Sequence, residues 1–321
     1  MRRAAAALIL AALLGAATAC GSSGPSVPPA GSPVSAVTTV SVGVVPVVDV
    51  APLYLGIKKG FFTSQKLTVV PRQVQQGSAI ITQVVSGGLD VGFSNNVSLI
   101  AAASRGIPLR IVAAGNQAGP GMYSAIFVRK DSPITTPRDL AGKRIAVNAV
   151  ENVGPLVVNA ALQSRGVSVA GISYVAVPFP NMASALARSQ VDAVWAVEPF
   201  SGAISAQGDA RLLLEPYPLL PKNFPVASYF VSAAYRSAHA DVVSRFTRAM
   251  NESLTYAQAH PAEVRQILPT FIKIAPRVAA TVALPRWSTD IEAGLLATTA
   301  SLATRYGFVS ATPNISQLTR G

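Results

Sequence analysis

One five-residue pattern occurs twice in the chain, each time where a β-branched run gives way to a helix-period segment. VSVGVVPV at residues 40–47 precedes Asp49-Val50-Ala51-Pro52-Leu53, and KRIAVNAV at 143–150 precedes Asn152-Val153-Gly154-Pro155-Leu156. Both copies run Asx, valine, small residue, proline, leucine, and both helical segments end at a glycine, Gly60 and Gly166, suited to a left-handed C-cap. A short β-branched run feeding a proline-opened helix is the repeating unit of α/β proteins. A second correspondence follows in the same order. Residues 78–86 carry Ile80, Ile81, Val84 and Val85 at helical spacing before the strand Leu89-Asp90-Val91-Gly92-Phe93; residues 182–189 stand in the same relation to Val191-Asp192-Ala193-Val194-Trp195. The repetition predicts two similar α/β lobes.

The C-terminal third breaks the pattern. Val242, Phe246, Met250, Leu254 and Ala257 share a helical face, Pro261 restarts a helix, and Ile291, Leu295, Leu302 and Tyr306 mark a last one before Gly307. A helical return of this kind is expected to pack on the first lobe, making that lobe discontinuous: 40–126 with 228–321 against 127–227. Two crossings are then required, expected at Ala125-Ile126-Phe127-Val128 and at Val226-Ala227-Ser228-Tyr229-Phe230-Val231.

The N-terminus reads as a targeting segment followed by a spacer. Met1-Arg2-Arg3 is basic, 4–17 is apolar apart from one glycine, and Ala17-Thr18-Ala19 leads to Cys20, the single cysteine of the chain. The apolar run is shorter than the ~20 residues that span a bilayer, so residues 1–19 are expected to be a cleaved signal peptide. The residues before Cys20 resemble a bacterial lipobox, which implies lipidation of Cys20. Residues 20–39, rich in Gly, Ser and Pro, are expected to be a flexible tether. One cysteine excludes an intrachain disulfide framework or a cysteine-based zinc site.

Charge is the remaining global signal. Lys plus Arg number 26 against 14 Asp plus Glu, a formal +12 that raises nucleic acid or an anionic surface as partners. Loss of Arg2 and Arg3 with the signal lowers this excess to 10. The C-terminal arginines are dispersed and interrupted by Asp241, Glu252, Glu263, Asp290 and Glu292, so nucleic acid is not the expected partner.

Several segments together resemble a known family. Ala51-Pro52-Leu53-Tyr54-Leu55-Gly56-Ile57-Lys58-Lys59-Gly60-Phe61-Phe62, VVSGGLDVGF at 84–93, Asp139-Leu140-Ala141-Gly142-Lys143 running into Arg144-Ile145-Ala146-Val147, and Val191-Asp192-Ala193-Val194-Trp195 with Glu198-Pro199-Phe200 are similar to solute-binding proteins of ABC importers. The branch covers nitrate, sulfonate and taurine binders together with thiamine-pyrimidine precursor binders. The resemblance implies a type II periplasmic-binding-protein fold, with two α/β lobes joined by a two-crossing hinge. It also implies a monomer that captures a small solute, without a cofactor, and delivers it to a membrane permease driven by an ATPase. With the lipid anchor, this places the protein at the cell membrane, on its extracytoplasmic face.

In open α/β sheets ligands bind beyond the carboxyl ends of the strands. The loops there offer Asp49, Ser78, Ser94, Asn95, Asn96, Asn116, Asn148, Glu151, Asn152, Trp195 and Glu198, with Tyr54 on the first helix. Asp49 and Asn152 are expected N-caps, and their helices would aim free N–H groups at the cleft, which suits an anion. Asp49, Glu151 and Glu198 argue the other way, because carboxylates suit an amine or amino-heterocycle. Trp195 is placed to stack on a planar ligand. No arginine falls in these loops, which weighs against sulfonate or phosphate. A pyrimidine synthase on the same fold is the rival of another class. Such synthases resemble this branch but use histidine and a cysteine-rich motif, whereas His239 and His260 here lie in expected C-terminal helices. No Ser-His-Asp set, metal-ligand spacing or phosphate loop is evident.

Overall fold

A computed structural model describes residues 37–319; the expected signal peptide, the expected lipidation site Cys20 and the expected tether up to residue 36 lie outside the described residues, whereas Thr38 and Thr39, expected in the tether, already open the first strand. The described residues build two five-stranded sheets with the same wiring. The first contains β1 (Thr38–Val44), β2 (Leu67–Gln73), β3 (Val91–Asn95) and β4 (Leu109–Gln117). The second contains β5 (Ser124–Arg129), β6 (Arg144–Val147), β7 (Ser173–Ala176), β8 (Ala193–Val197) and β9 (Ala210–Leu214), and the chain then returns to the first sheet as β10 (Pro225–Ser232). Their orders are β2-β1-β3-β10-β4 and β7-β6-β8-β5-β9.

In each sheet three strands run parallel and the fourth in order is antiparallel to both neighbours: β10 against β3 and β4, and β5 against β8 and β9. That antiparallel strand is the one reached through a crossing. The crossings expected at 125–128 and 226–231 are therefore displaced. Those segments are the return strands β5 and β10, apolar because they lie inside the sheets, and the chain passes between sheets at 118–123 and 215–224.

The repeated motif forms as expected. Helix Ala51–Lys59 follows β1 and helix Val153–Ser164 follows β6; Gly60 closes the first at φ 80° and Gly166 lies just beyond the second at φ 69°. Asn152 caps its helix, accepting from the Val153 N–H. Asp49 does not cap: it sits in the 3-10 turn Val48–Val50, the N-cap position falls to Val50, and the Asp49 carboxylate is engaged by Tyr123 instead.

The C-terminal return packs on the first lobe. Helix Ala240–Ala259 buries Val243, Phe246, Met250 and Leu254 against helix Ala51–Lys59 and β4. Each large apolar side chain so buried contributes about 1.5–3 kcal/mol. In the last long helix, Ala293–Arg305, the buried face is Leu296, Thr299, Ala300 and Ala303, one position round from the expected apolar row. No helix among the described residues is long and apolar enough to cross a membrane.

Candidate ligand-binding site

The carboxyl ends of the parallel strands in both sheets face one cavity of about 50 Å³. The first lobe contributes the end of β1 and the turn after it (Val45, Val47, Asp49), the end of β3 (Phe93, Ser94, Asn95) and Gly77 at the start of helix Gly77–Val85. The second contributes Asn148 after β6, Asn152 and Val153 at the helix start, Phe179, and Trp195 and Val197 of β8. Tyr217 enters from the second crossing and Val226 and Ala227 from β10.

Six of the residues singled out from sequence meet in this wall: Asp49, Ser94, Asn95, Asn148, Asn152 and Trp195. Four polar atoms there are buried without a hydrogen-bond partner: Ser94 Oγ, Asn148 Oδ1, Trp195 Nε1 and Tyr217 Oη. An unpaired buried polar group costs about 1–3 kcal/mol, and four around one cavity are the mark of a surface completed by something else. The set is mixed: an indole N–H donor, an amide acceptor, and two hydroxyls that serve either role. Phe179 lies 6.0 Å from the Trp195 ring and stacks on Phe200 at 5.6 Å, while Tyr217 stacks on Tyr123 at 5.6 Å. Among the described residues no lysine, arginine or histidine lines the cavity.

Asp49 is the one carboxylate among the described residues that line the cavity. The Tyr123 hydroxyl donates to Asp49 Oδ1 at 2.9 Å and itself accepts from Asn116 Nδ2 at 2.8 Å. Burial pushes the Asp49 carboxyl up to about 7, although the bonds from Tyr123 and Asn116 pull the other way. Tyr123 and Tyr217 are themselves held far above the usual phenol range, chiefly by burial.

The other residues lie outside the wall. Asn116 supports Tyr123 from behind, and Asn96 is taken up by Ser228 Oγ at 2.8 Å and the Pro225 carbonyl at 3.1 Å. Tyr54 stacks on Phe271 at 3.9 Å in helix packing. Ser78 and Glu151 line a separate space of about 350 Å³, where Glu151 pairs with Arg105 at 2.8 Å. Glu198 is 2% exposed and accepts from the Gly202 N–H at 3.1 Å and the Ala283 N–H at 2.9 Å. Burial raises its carboxyl above the usual range. The expected trio of carboxylates at the cleft is thus reduced to Asp49, because Glu151 is spent on an ion pair and Glu198 on backbone N–H groups.

Phe93, Phe179 and Tyr217 were missed. Phe93 carried a usable signal, since it directly precedes Ser94 at a strand's carboxyl end. Phe179 and Tyr217 stand in proline-rich connections, VPFPN and PYPLLP, whose paths the sequence pattern does not define.

Two lobes wired alike, crossed twice by the chain and meeting over a cavity at their strand ends, make up a type II periplasmic-binding-protein fold. The chain belongs to the NMT1/THI5-like family, whose model matches residues 47–264. It is 25% identical over 182 residues to the taurine-binding periplasmic protein of Escherichia coli (strain K12), covering 56% of this chain and 55% of that one. It is also 25% identical over 224 residues to a 4-amino-5-hydroxymethyl-2-methylpyrimidine phosphate synthase of Aspergillus parasiticus, covering 66% and 64%. The match thus spans less than two thirds of both relatives. The riboflavin-binding protein RibY of Chloroflexus aurantiacus (strain ATCC 29366 / DSM 635 / J-10-fl) is 23% identical, covering 90% of this chain and 86% of that one. Among solved structures, the alkanesulfonate-binding protein SsuA from Xanthomonas axonopodis pv. citri, bound to MOPS, superposes with a TM-score of 0.75 at 19% identity, covering 88% and 98%. The nitrate-binding protein NrtA from Synechocystis PCC 6803 gives a TM-score of 0.75 at 16% identity, covering 88% and 86%. At such identities the structural likeness is one of fold.

Proposed function

We propose that this protein is the extracytoplasmic solute-binding component of an ABC importer, capturing a small amine-bearing or heterocyclic solute between its lobes for delivery to a permease. The observation that carries the reading is the mixed set of four unpaired polar atoms around an aromatic-walled cavity without lysine or arginine. An amino-substituted ring, such as a thiamine-pyrimidine precursor, offers a donor to Asn148 Oδ1, an acceptor to Trp195 Nε1 and a flat face to the surrounding rings. Residues 1–19 direct export, Cys20 carries the lipid anchor, and 20–37 form the tether. The lobes are 38–117 with 225–319, and 124–214, and closure is a hinge motion at the two crossings.

A taurine, sulfonate or nitrate ligand is the second reading. Gly77 and Val153, at the starts of two helices, both line the cavity and bring helix N-termini to it. Catalysis of the pyrimidine-synthase kind is disfavoured because neither His239 nor His260 lines the cavity. The test is a thermal-shift panel of 4-aminopyrimidine, taurine, an alkanesulfonate and nitrate, followed by a turnover assay on whichever binds. A solute at 100 times its Kd adds about 2.7 kcal/mol of stability. Stabilisation by 4-aminopyrimidine without turnover is expected; stabilisation by the anions alone transfers the reading to sulfonate or nitrate.

A further inference from the structure

Two hydrogen-bond acceptors of the cavity wall come from opposite lobes: the Asp49 carboxylate from the first and Asn148 Oδ1 from the second. Asp49 is 5% exposed, and its carboxylate is anchored by a hydroxyl that is anchored in turn by Asn116. Its backbone carbonyl accepts from Trp287 Nε1 at 3.2 Å, so the residue is fixed at both ends. The groups facing it are Tyr123 and Tyr217 from the crossings, Tyr229 from β10 and Asn116 from β4, all uncharged near neutral pH. Glu198 is a near neighbour through its backbone, its carbonyl accepting from the Val48 N–H at 3.2 Å, but its carboxylate is committed to Gly202 and Ala283.

Resting on the reading of this cavity as the ligand site, we propose that Asp49 is its specificity-determining residue: the ionised carboxylate accepts an N–H of an amino-substituted nitrogen heterocycle, so capture expels the Asp49 proton to solvent. In the empty protein the carboxyl is half protonated near pH 7, because it is buried without a cationic partner. A ligand N–H adds a further donor to the carboxylate and holds the ionised form. An anionic solute would be favoured by the protonated form instead, so the direction of the pH dependence reports the ligand class.

The experiment is calorimetric titration of the wild-type protein and the Asp49→Asn variant with 4-aminopyrimidine at pH 6 and pH 8, in buffers of different ionisation enthalpy. The ratio of wild-type to variant affinity removes the ligand's own titration. That ratio is expected to rise roughly tenfold from pH 6 to pH 8, with the wild type releasing more protons than the variant at pH 6. An equal ratio at both pH values, or equal proton counts, overturns the role of Asp49 while leaving capture of the heterocycle intact. If 4-aminopyrimidine fails to bind the wild type and taurine binds with the opposite pH trend, the ligand class falls as well. Thermal unfolding of the variant at pH 6 separates loss of binding from loss of fold.

Discussion

Gly154 lies directly against the ring of Trp195: a Cβ at Gly154 would stand 2.7 Å from Trp195 Cε3 and 2.9 Å from Cζ3. This is why the second copy of the repeated motif carries glycine where the first carries Ala51. The glycine sits at the second position of helix Val153–Ser164, and its lack of a side chain lets the helix start approach the ring that walls the cavity.

The Gly154→Ala substitution is therefore expected to destabilise the protein. Alanine gains up to about 1 kcal/mol of helix propensity, but overpacking a ring that is only 1% exposed costs about 1–3 kcal/mol. The melting temperature should fall by a few degrees. Ligand affinity should fall with it, because Trp195 is displaced toward the cavity. An unchanged melting temperature would mean that the ring is free to move.

Asp49 gives the empty protein a pH signature of its own. Its folded-state carboxyl, at about 7, lies above the ordinary carboxylate value of 3.8. Between those values the folded state holds a proton that the unfolded chain has released, so stability falls as pH rises from about 4 to 7 and levels off above. The effect is on the order of a few kcal/mol. In Asp49→Asn the share of this decline that Asp49 causes should be absent, leaving that of the buried Glu198. Urea unfolding of wild type and variant at pH 4.5 and 7.5 checks it, and parallel curves for the two would contradict the burial argument.

Tyr54 separates packing from binding. Its ring stacks on Phe271 at 3.9 Å, outside the cavity wall. Tyr54→Ala should lower stability by a few kcal/mol, as truncation of a packed aromatic does, and leave the Kd for a bound solute unchanged once the protein is folded. A large change in Kd at full folding would return Tyr54 to the site.

The repeated motif made the two-lobe architecture legible because both copies obey local rules: a β-branched run, a proline in the first helical turn, a glycine beyond the last. The crossings were misread for a physical reason. β5 and β10 are the antiparallel strands that complete the two sheets, and their central residues Ile126, Phe127, Tyr229 and Phe230 are as apolar as those of any interior strand. Nothing in such a run says which sheet it has joined. The polar half of the cavity wall was legible from the rule that ligands meet strand ends, whereas the fate of Glu151 and Glu198 was not. Each is claimed by a partner distant in sequence, Arg105 and Ala283.

Those long-range partners define the last prediction. Gln76, at the start of a first-lobe helix, donates through Nε2 to the Asn148 carbonyl of the second lobe at 3.1 Å, and Arg105 of the first lobe pairs with Glu151 of the second at 2.8 Å. The ion pair is open to solvent, its side chains 60% and 61% exposed, so it contributes about 1 kcal/mol or less to folding. Both contacts nevertheless join the lobes beside the cavity, and opening the cleft must break them. Removing them in a Gln76→Ala, Glu151→Gln double variant should leave the melting temperature nearly unchanged and speed solute dissociation several-fold, with 1 M salt reproducing the ion-pair share of the effect in the wild type. Stopped-flow dissociation rates measure it. Equal rates in variant and wild type would show that these two contacts do not hold the cleft closed.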